Sequence, residues 1–449
     1  MAHRISLGQY VTMHRLPELA AGAIDAAALS RAETPLAAVY QHMLAQTKAR
    51  ILRVQGRQIL DSSGDPTVEC EVRTHKGCFT ASCPSGSAPG AYEMFELRDG
   101  DADAYHGRGV LRAVRSINKY IAPALLGRDP TKQLELDSLM VQALDQTANL
   151  SHLGANAILA VSLAVCKAGA AERGVPLYRH LARLAGNSRV VLPVPSFNIL
   201  SGGVFSEDCN ALPVQEFMIM PTGAKSFSEA MRMGTEVYHH IKVLLADRYG
   251  RKALDVGHDG AFMPPMEDLE EALTLLVEAI QMAGHTGKIK IALDVAASEF
   301  LVEDDVYDLG FKTSDNGGAR QLAGEELVLT YERLCKTYPI VSIEDPFDQD
   351  DFRNTAALTD LGLCQVVGDD LLVNSPARVQ AAIKGRVCNA HTLKLNQIGT
   401  VSESIEVVRA TKESGWGVIA CHRSGETEDS FLADLAVGFA CGQIKSGAP

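Results

Sequence analysis

After Val190 the chain settles into one repeating unit, a short apolar run closed by a charged residue and followed by a helical stretch. Two apolar runs, VVLPVPSFN and QEFMIMP, come first. Two amphipathic helices follow, at about Phe227 to Tyr249 and about Met266 to Ala283, the second stopped by Gly284. Six more runs then alternate with helices: KIKIALD, PIVSIED, CQVVGDD, HTLKLNQ, GVIACHR and GQIKSG. Two strands, two helices and six further strands give eight strands, the number that closes a barrel. The expectation is a parallel α/β barrel over residues 190–449, without the helix that would follow the eighth strand, because the chain stops at Pro449.

Upstream of the barrel the pattern differs twice. Residues 1–50 are rich in Ala and Leu and predict a helical extension, two short helices broken around Ser30 to Pro35. In the second helix Leu36, Val39, Tyr40, Met43 and Leu44 form one apolar stripe, which either packs on the body of its own chain or serves residues 1–48 as a dimerisation or docking hairpin for a protein partner. From Ile51 the pattern turns to β: ILRVQGRQIL, the turn DSSGDP, then TVECEV with Val68, Cys70 and Val72 alternating with charge. The loop CPSGSAPGAYE follows, and helical stretches run from about Val110 through LGANAILAVSLAVCKAGAAERG to Leu184. Residues 51–189 therefore predict a separate α+β capping domain, strands first and helices after.

Composition narrows the chemistry. With 449 residues, 46% hydrophobic and 6% aromatic, the chain has an aliphatic core large enough for two domains. Its formal net charge of −13 offers no overall positive field for nucleic acid or an acidic membrane surface, so a small anionic substrate needs locally placed cations. The ten cysteines include no C-x-x-C pair and no Cys/His cluster, which speaks for reduced thiols and against zinc or a disulfide framework. The N-terminus has no apolar run long enough for a membrane span, and Glu18, Asp25 and Glu33 do not suit a transit peptide, so a cytoplasmic location is expected.

In such barrels the site lies at the C-terminal strand ends, which puts Asp294, Glu344, Asp369, Lys394, His422 and Lys445 around one mouth. From Glu344 onward the intervals are close to 25 residues, about one strand–helix unit each. A lone carboxylate at a strand end is usually a helix N-cap or a loop residue, but three on successive strands followed by a lysine form a set. Three hard oxygen ligands suit Mg²⁺ or Mn²⁺ with positions left open for substrate oxygens. A dication stabilises the negative charge that develops when a proton leaves carbon beside a carboxylate. A lysine flanked by cations can have its pKa lowered enough to act as the base, and Lys394 and Lys445 are the candidates. His422, Arg423 and Ser424 supply a cation and donors for a phosphate.

These segments resemble the enolase family: LDVAASEF, SIEDPF, DDL, LKLNQIGT, CHRSGETED and GQIKSGAP in the barrel, with LGANAILAVSLA, VPSFNILSGG, QEFMIMPTGA and the DSSGDPTVE hairpin. The resemblance runs from about Ile51 to Pro449 and implies an enolase-type ββαα(βα)6 barrel behind an N-terminal α+β capping domain. It implies a Mg²⁺-dependent phosphopyruvate hydratase that removes the C2 proton of 2-phosphoglycerate and expels the C3 hydroxyl to give phosphoenolpyruvate, acting as a homodimer. By resemblance Asp294, Glu344 and Asp369 hold the tighter metal and Lys394 is the general base. Lys445 pairs with the substrate carboxylate, Arg423 and Ser424 bind the phosphate, and Gln215, Glu216 and His422 complete the leaving-hydroxyl side.

Several positions depart from the family pattern. The family's S-G-A-S-T-G loop is Ser85-Gly86-Ser87-Ala88-Pro89-Gly90, which puts Ala88 where a serine would hold a second metal. Phe205 stands near the place of a histidine, and the family's G-D-E-G-G is Gly257-His258-Asp259-Gly260-Ala261, with Asp259 for a catalytic glutamate. Ser63 takes the position of a hairpin arginine. Two functions fit this pattern: an enolase with an intact base and first metal site but reduced activity, or an enolase-derived scaffold or binding protein.

Overall fold

The computed structural model describes residues 11, 15–29, 33–46, 49–86, 90, 92–206, 209–313 and 317–449. Two N-terminal helices, α1 (Leu16–Leu29) and α2 (Pro35–Gln46), pack on one another with Ala23 and Ala27 in the seam, while Leu36 and Met43 of the stripe are exposed. The side chains of Tyr40 and Leu44, also in that stripe, lie outside the described residues.

Strands β1 (Arg53–Leu60), β2 (Pro66–Thr74) and β3 (Gly77–Ser82) form an antiparallel meander. The β1–β2 turn is tied by Asp61, whose carboxylate accepts from the backbone N–H groups of Ser63 and Asp65 at 2.9 Å. β3 was not expected, because its exposed face carries Cys78 and Thr80 instead of charges. Val68, Cys70 and Val72 face inward as alternation requires, and α3 (Ala155–Glu172) covers them. This helix is long and apolar enough to cross a membrane, but 83% of it is buried inside the protein, where neighbours surround it on nearly every side.

The barrel strands are β4 (Val194–Ser201), β5 (Glu216–Met220), β6 (Lys290–Asp294), β7 (Ile340–Glu344), β8 (Gln365–Gly368), β9 (Ala390–Leu393), β10 (Gly417–Cys421) and β11 (Gly442–Lys445). They close in chain order, with β11 returning parallel to β4 through Gln443↔Val194 and Lys445↔Ser196. Helices α4 (Phe227–Tyr249) and α5 (Leu269–Met282) fill the interval between β5 and β6. One feature corrects the all-parallel expectation: β5 runs antiparallel to both neighbours. Among the described residues the link from β4 to β5 contains only a short 3-10 turn and no crossover helix, and such a link returns a strand in the opposite direction. The start of β5, not its end, therefore lies at the barrel mouth.

Candidate active site

Register assembles the site. On three adjacent strands Glu216, Asp294 and Glu344 fall in one row, paired Glu216↔Asp294 and Glu344↔Asp294. Asp369, Lys394 and His422 each follow directly on the last residue of β8, β9 and β10, and Lys445 ends β11. All three carboxylates of the row are buried. Below them Gln365 and Gln443 hydrogen-bond across the barrel interior at 2.7 Å and 3.1 Å, a polar floor under the mouth.

The side chains converge on one cavity of about 530 Å³. Gln215, Glu216, Asp259, Asp294, Asp369, Lys394, His422, Arg423, Ser424 and Lys445 line it. Glu344 is beneath the lining and reaches it through Lys445. The Lys445 ammonium donates to Asp294 Oδ2 at 2.6 Å and Glu344 Oε2 at 3.0 Å and makes an ion pair with Glu216 Oε2 at 3.1 Å. Thr392 donates to the other Glu344 oxygen at 2.8 Å. Lys394 pairs with Asp369 Oδ2, and Asp369 Oδ1 is buried without a hydrogen-bond partner.

Charge in this cluster is unbalanced toward the negative. Burial pushes the Glu216 carboxyl up to about 7 and Glu344 up to about 8, with the Lys445 charge only partly opposing. Burial also raises Asp370, to about 6, and Asp369 adds to it. For Asp369 itself burial acts upward, but Lys394 and Lys445 outweigh it and the net direction is down.

One electrostatic expectation needs correction. Lys394 is not a depressed-pKa lysine here: burial lowers it, yet the adjoining Asp369 charge overrides burial and holds it above its ordinary value. His422 is not a cation at neutral pH, because burial drops its pKa to about 4. Its Nδ1 lies 3.1 Å from the carbonyl oxygen of Lys445, an atom that can only accept, so Nδ1 carries the hydrogen and Nε2 is left as an acceptor.

The phosphate candidate is occupied by a residue the sequence reading did not single out. Glu93 grips Arg423 with two parallel bonds, Nη1 to Oε1 and Nη2 to Oε2, both 3.1 Å. Glu93 also accepts from Gln397 and from the backbone of Gly90, each at 3.1 Å. Arg423 passes so close to Gly86 that a Cβ there would run into Nη2. This contact is set by the β-bridge of Ser85 to Gly425, whose backbone bonds are 2.8 Å and 2.9 Å, and by the β1–β2 turn, where Ser62 and Ser63 lie near the Ser424 carbonyl.

On the opposite side of the cavity Asp259 Oδ2 accepts from Asn198 at 2.6 Å. Phe205 lines the cavity half-exposed. Ala88 lies outside the described residues. Asp345, the second acid of SIED, turns away at positive φ and accepts from the backbone N–H groups of Asp369 and Asp370 at 2.9 Å and 2.6 Å. With Asp369 and Asp370 it forms a group of carboxylates within 4.8 Å.

The donor set fits a hard divalent cation: several buried carboxylates, a negative imbalance, and one buried carboxylate oxygen without a partner.

Comparison with known proteins agrees with this architecture. Residues 51–181 match the family described as "Enolase, N-terminal domain" and residues 189–449 match "Enolase, C-terminal TIM barrel domain". The chain is similar to enolase 2 of Hevea brasiliensis and to the enolase of Solanum lycopersicum, 55% identical over 407 and 409 residues, or 89% of this chain and 91% of each relative. Similarity to cytosolic enolase 3 of Arabidopsis thaliana, 47% over 445 residues, covers 99% of this chain and 93% of that relative, and so takes in the N-terminal helices. With both parts of the fold matched in order and the strand-end carboxylates and lysines gathered in one cavity, the chain belongs to the enolase family.

Proposed function

We propose that the protein interconverts 2-phosphoglycerate and phosphoenolpyruvate as a Mg²⁺-dependent phosphopyruvate hydratase of the cytosol, with proton removal better preserved than hydroxyl loss. The observation that carries this reading is the cavity in which Lys394 and Lys445 stand among Asp294, Glu344 and Asp369, with Arg423 beside them.

Asp294, Glu344 and Asp369 would hold the ion, which supplies positive charge for the carboxylate of the deprotonated substrate and draws on the Asp369 charge that now holds Lys394 protonated. Lys394, once neutral, takes the C2 proton. Lys445 pairs with the substrate carboxylate, and Arg423 with Ser424 receives the phosphate. Glu216 carries a proton near neutral pH, as its raised pKa of about 7 allows, and serves the departing C3 hydroxyl together with Gln215, His422 and Asp259.

The acid side is the altered side. Asp259 is one methylene shorter than glutamate and is tethered to Asn198, and Phe205 cannot transfer a proton. General-acid assistance is worth about 10² to 10⁴ in rate, so its impairment slows elimination selectively. In D₂O with Mg²⁺, 2-phosphoglycerate should gain deuterium at C2 faster than phosphoenolpyruvate appears by its ultraviolet absorbance. Asp259→Glu with Phe205→His should narrow that gap. Product forming as fast as deuterium enters would refute the impairment, and neither signal from protein that binds Mg²⁺ would leave only the scaffold or binding role.

A further inference from the structure

Glu93 closes the fork of Arg423, and the residue before it is fastened to the rim of the barrel. Cζ of Arg378 lies over the Tyr92 ring, 4.4 Å from its centroid, and the Tyr92 hydroxyl faces the two Asp350 carboxylate oxygens at 3.3 Å and 3.4 Å. Arg378, on the helix Pro376–Gly385, is tied down on its other sides. Its Nη1 donates to Asp350 at 2.9 Å, its Nε to the Leu371 carbonyl at 2.7 Å and its Nη2 to the Gln349 carbonyl. The Gln349 N–H donates in turn to Ser298 Oγ at 2.9 Å. These partners lie in the loops that follow β6, β7 and β8, so Arg378 is a fixed post beside the strand ends that carry Asp294, Glu344 and Asp369.

A phosphate arriving at Arg423 has to displace Glu93, because both Nη atoms are spent on the Glu93 oxygens and two anions on one fork repel each other. Downstream of Glu93 the backbone is fixed: the Met94 N–H donates to the Gln397 carbonyl at 3.2 Å and the Phe95 N–H to the Asn149 carbonyl at 2.9 Å. Withdrawal of Glu93 therefore falls on the upstream side, where Tyr92 is the side chain that holds on. Tyr92 is 47% exposed, so its hold is a weak, solvated one that can be released.

We propose that the Tyr92–Arg378 stack is a clasp that keeps Glu93 seated on Arg423, an autoinhibitory contact that an incoming phosphate group must open. Tyr92 acts through Glu93 and is a positioning residue. The proposal rests on the reading of Arg423 as the phosphate residue. Opening the clasp draws on the free energy of phosphate binding, so removing the stack should tighten that binding by the worth of one exposed cation–π contact, about two- to fivefold.

Calorimetric titration of the full chain with inorganic phosphate tests this without turnover. Tyr92→Ala should bind phosphate about two- to fivefold more tightly, and Tyr92→Phe, which keeps the ring over Arg378, should stay close to the parent. In a Glu93→Gln background the gain from Tyr92→Ala should shrink toward nothing, since the charge that the clasp holds in place is gone. Unchanged or weaker phosphate binding in Tyr92→Ala overturns the proposal. So does a full gain that persists with Glu93→Gln, because Tyr92 would then act otherwise than through Glu93. Arg423→Met separates the two readings. Loss of phosphate in Arg423→Met, with no response to Tyr92→Ala, refutes the clasp alone, whereas phosphate that binds Arg423→Met as well as the parent refutes the anion site and the clasp with it.

Discussion

Glu93→Gln tests how the anion-binding side of the cavity is held. The substitution keeps the shape of the side chain and removes its charge, leaving Arg423, only 8% exposed, without the carboxylate that grips it at 3.1 Å on both Nη atoms. Breaking a buried ion pair by removing one partner costs about 3–5 kcal/mol, since the surviving charge stays desolvated. Asp369 and Asp370 also act on Arg423 and favour its charged form, so the low end, about 3 kcal/mol, applies. The same change frees the guanidinium fork for an external anion and removes a negative charge beside it. Inorganic phosphate should then bind on the order of tenfold more tightly. Urea unfolding gives the first quantity and calorimetric titration with phosphate the second. A double change, Glu93→Gln with Arg423→Met, should recover much of the lost stability and lose the phosphate. Unchanged stability in Glu93→Gln would refute the ion-pair argument. Weaker phosphate binding would show that Glu93 orients the guanidinium instead of competing for it.

Three further outcomes are expected. One Mg²⁺-class ion should bind without substrate, and Asp369→Asn should weaken it on the order of tenfold or more; calorimetry showing no uptake, or none of that dependence, contradicts the ligand set. His180 is fully buried with neither ring nitrogen hydrogen-bonded, and burial lowers its pKa to about 4, so the unfolded chain alone takes up its proton as pH falls from about 6.5. Stability should therefore drop by about 3 kcal/mol from this group between pH 6.5 and 4, and His180→Leu should remove that share of the slope; an unchanged slope in chemical unfolding rejects it. The chain should be a homodimer, and light scattering that gives one oligomeric state for the full chain and for a form starting at Ala49 would exclude α1 and α2 as the dimerising element.

The barrel was legible because each strand is a continuous apolar run ended by a charged or polar residue, and burial on both faces leaves no other use for such runs. Strand direction was not, since composition is blind to it; the signal was the short link from Ser201 to Glu216, which among the described residues holds no crossover helix. The strand-end acids and lysines could be picked out for a related reason: spacing fixes which residues reach one mouth. What those residues do to one another could not be, because it depends on contacts between segments far apart in the chain. Glu93 sits in a loop without periodicity, 330 positions before the arginine it holds. Lys394 follows β9 and Asp369 follows β8, and only the closed barrel brings them together and turns an expected neutral base into a firmly protonated ammonium. Asp345 and Asp370 are each the second acid of a doublet, and strand geometry gives the two members different work: Glu344 pairs with Lys445, while Asp345 ties down the backbone that follows β8. Folding thus buries these carboxylates side by side, and desolvation first, with repulsion from Asp294 behind it, raises Glu216 and Glu344. A bound dication relieves the same repulsion, so the ion should stabilise the fold as well as serve the chemistry.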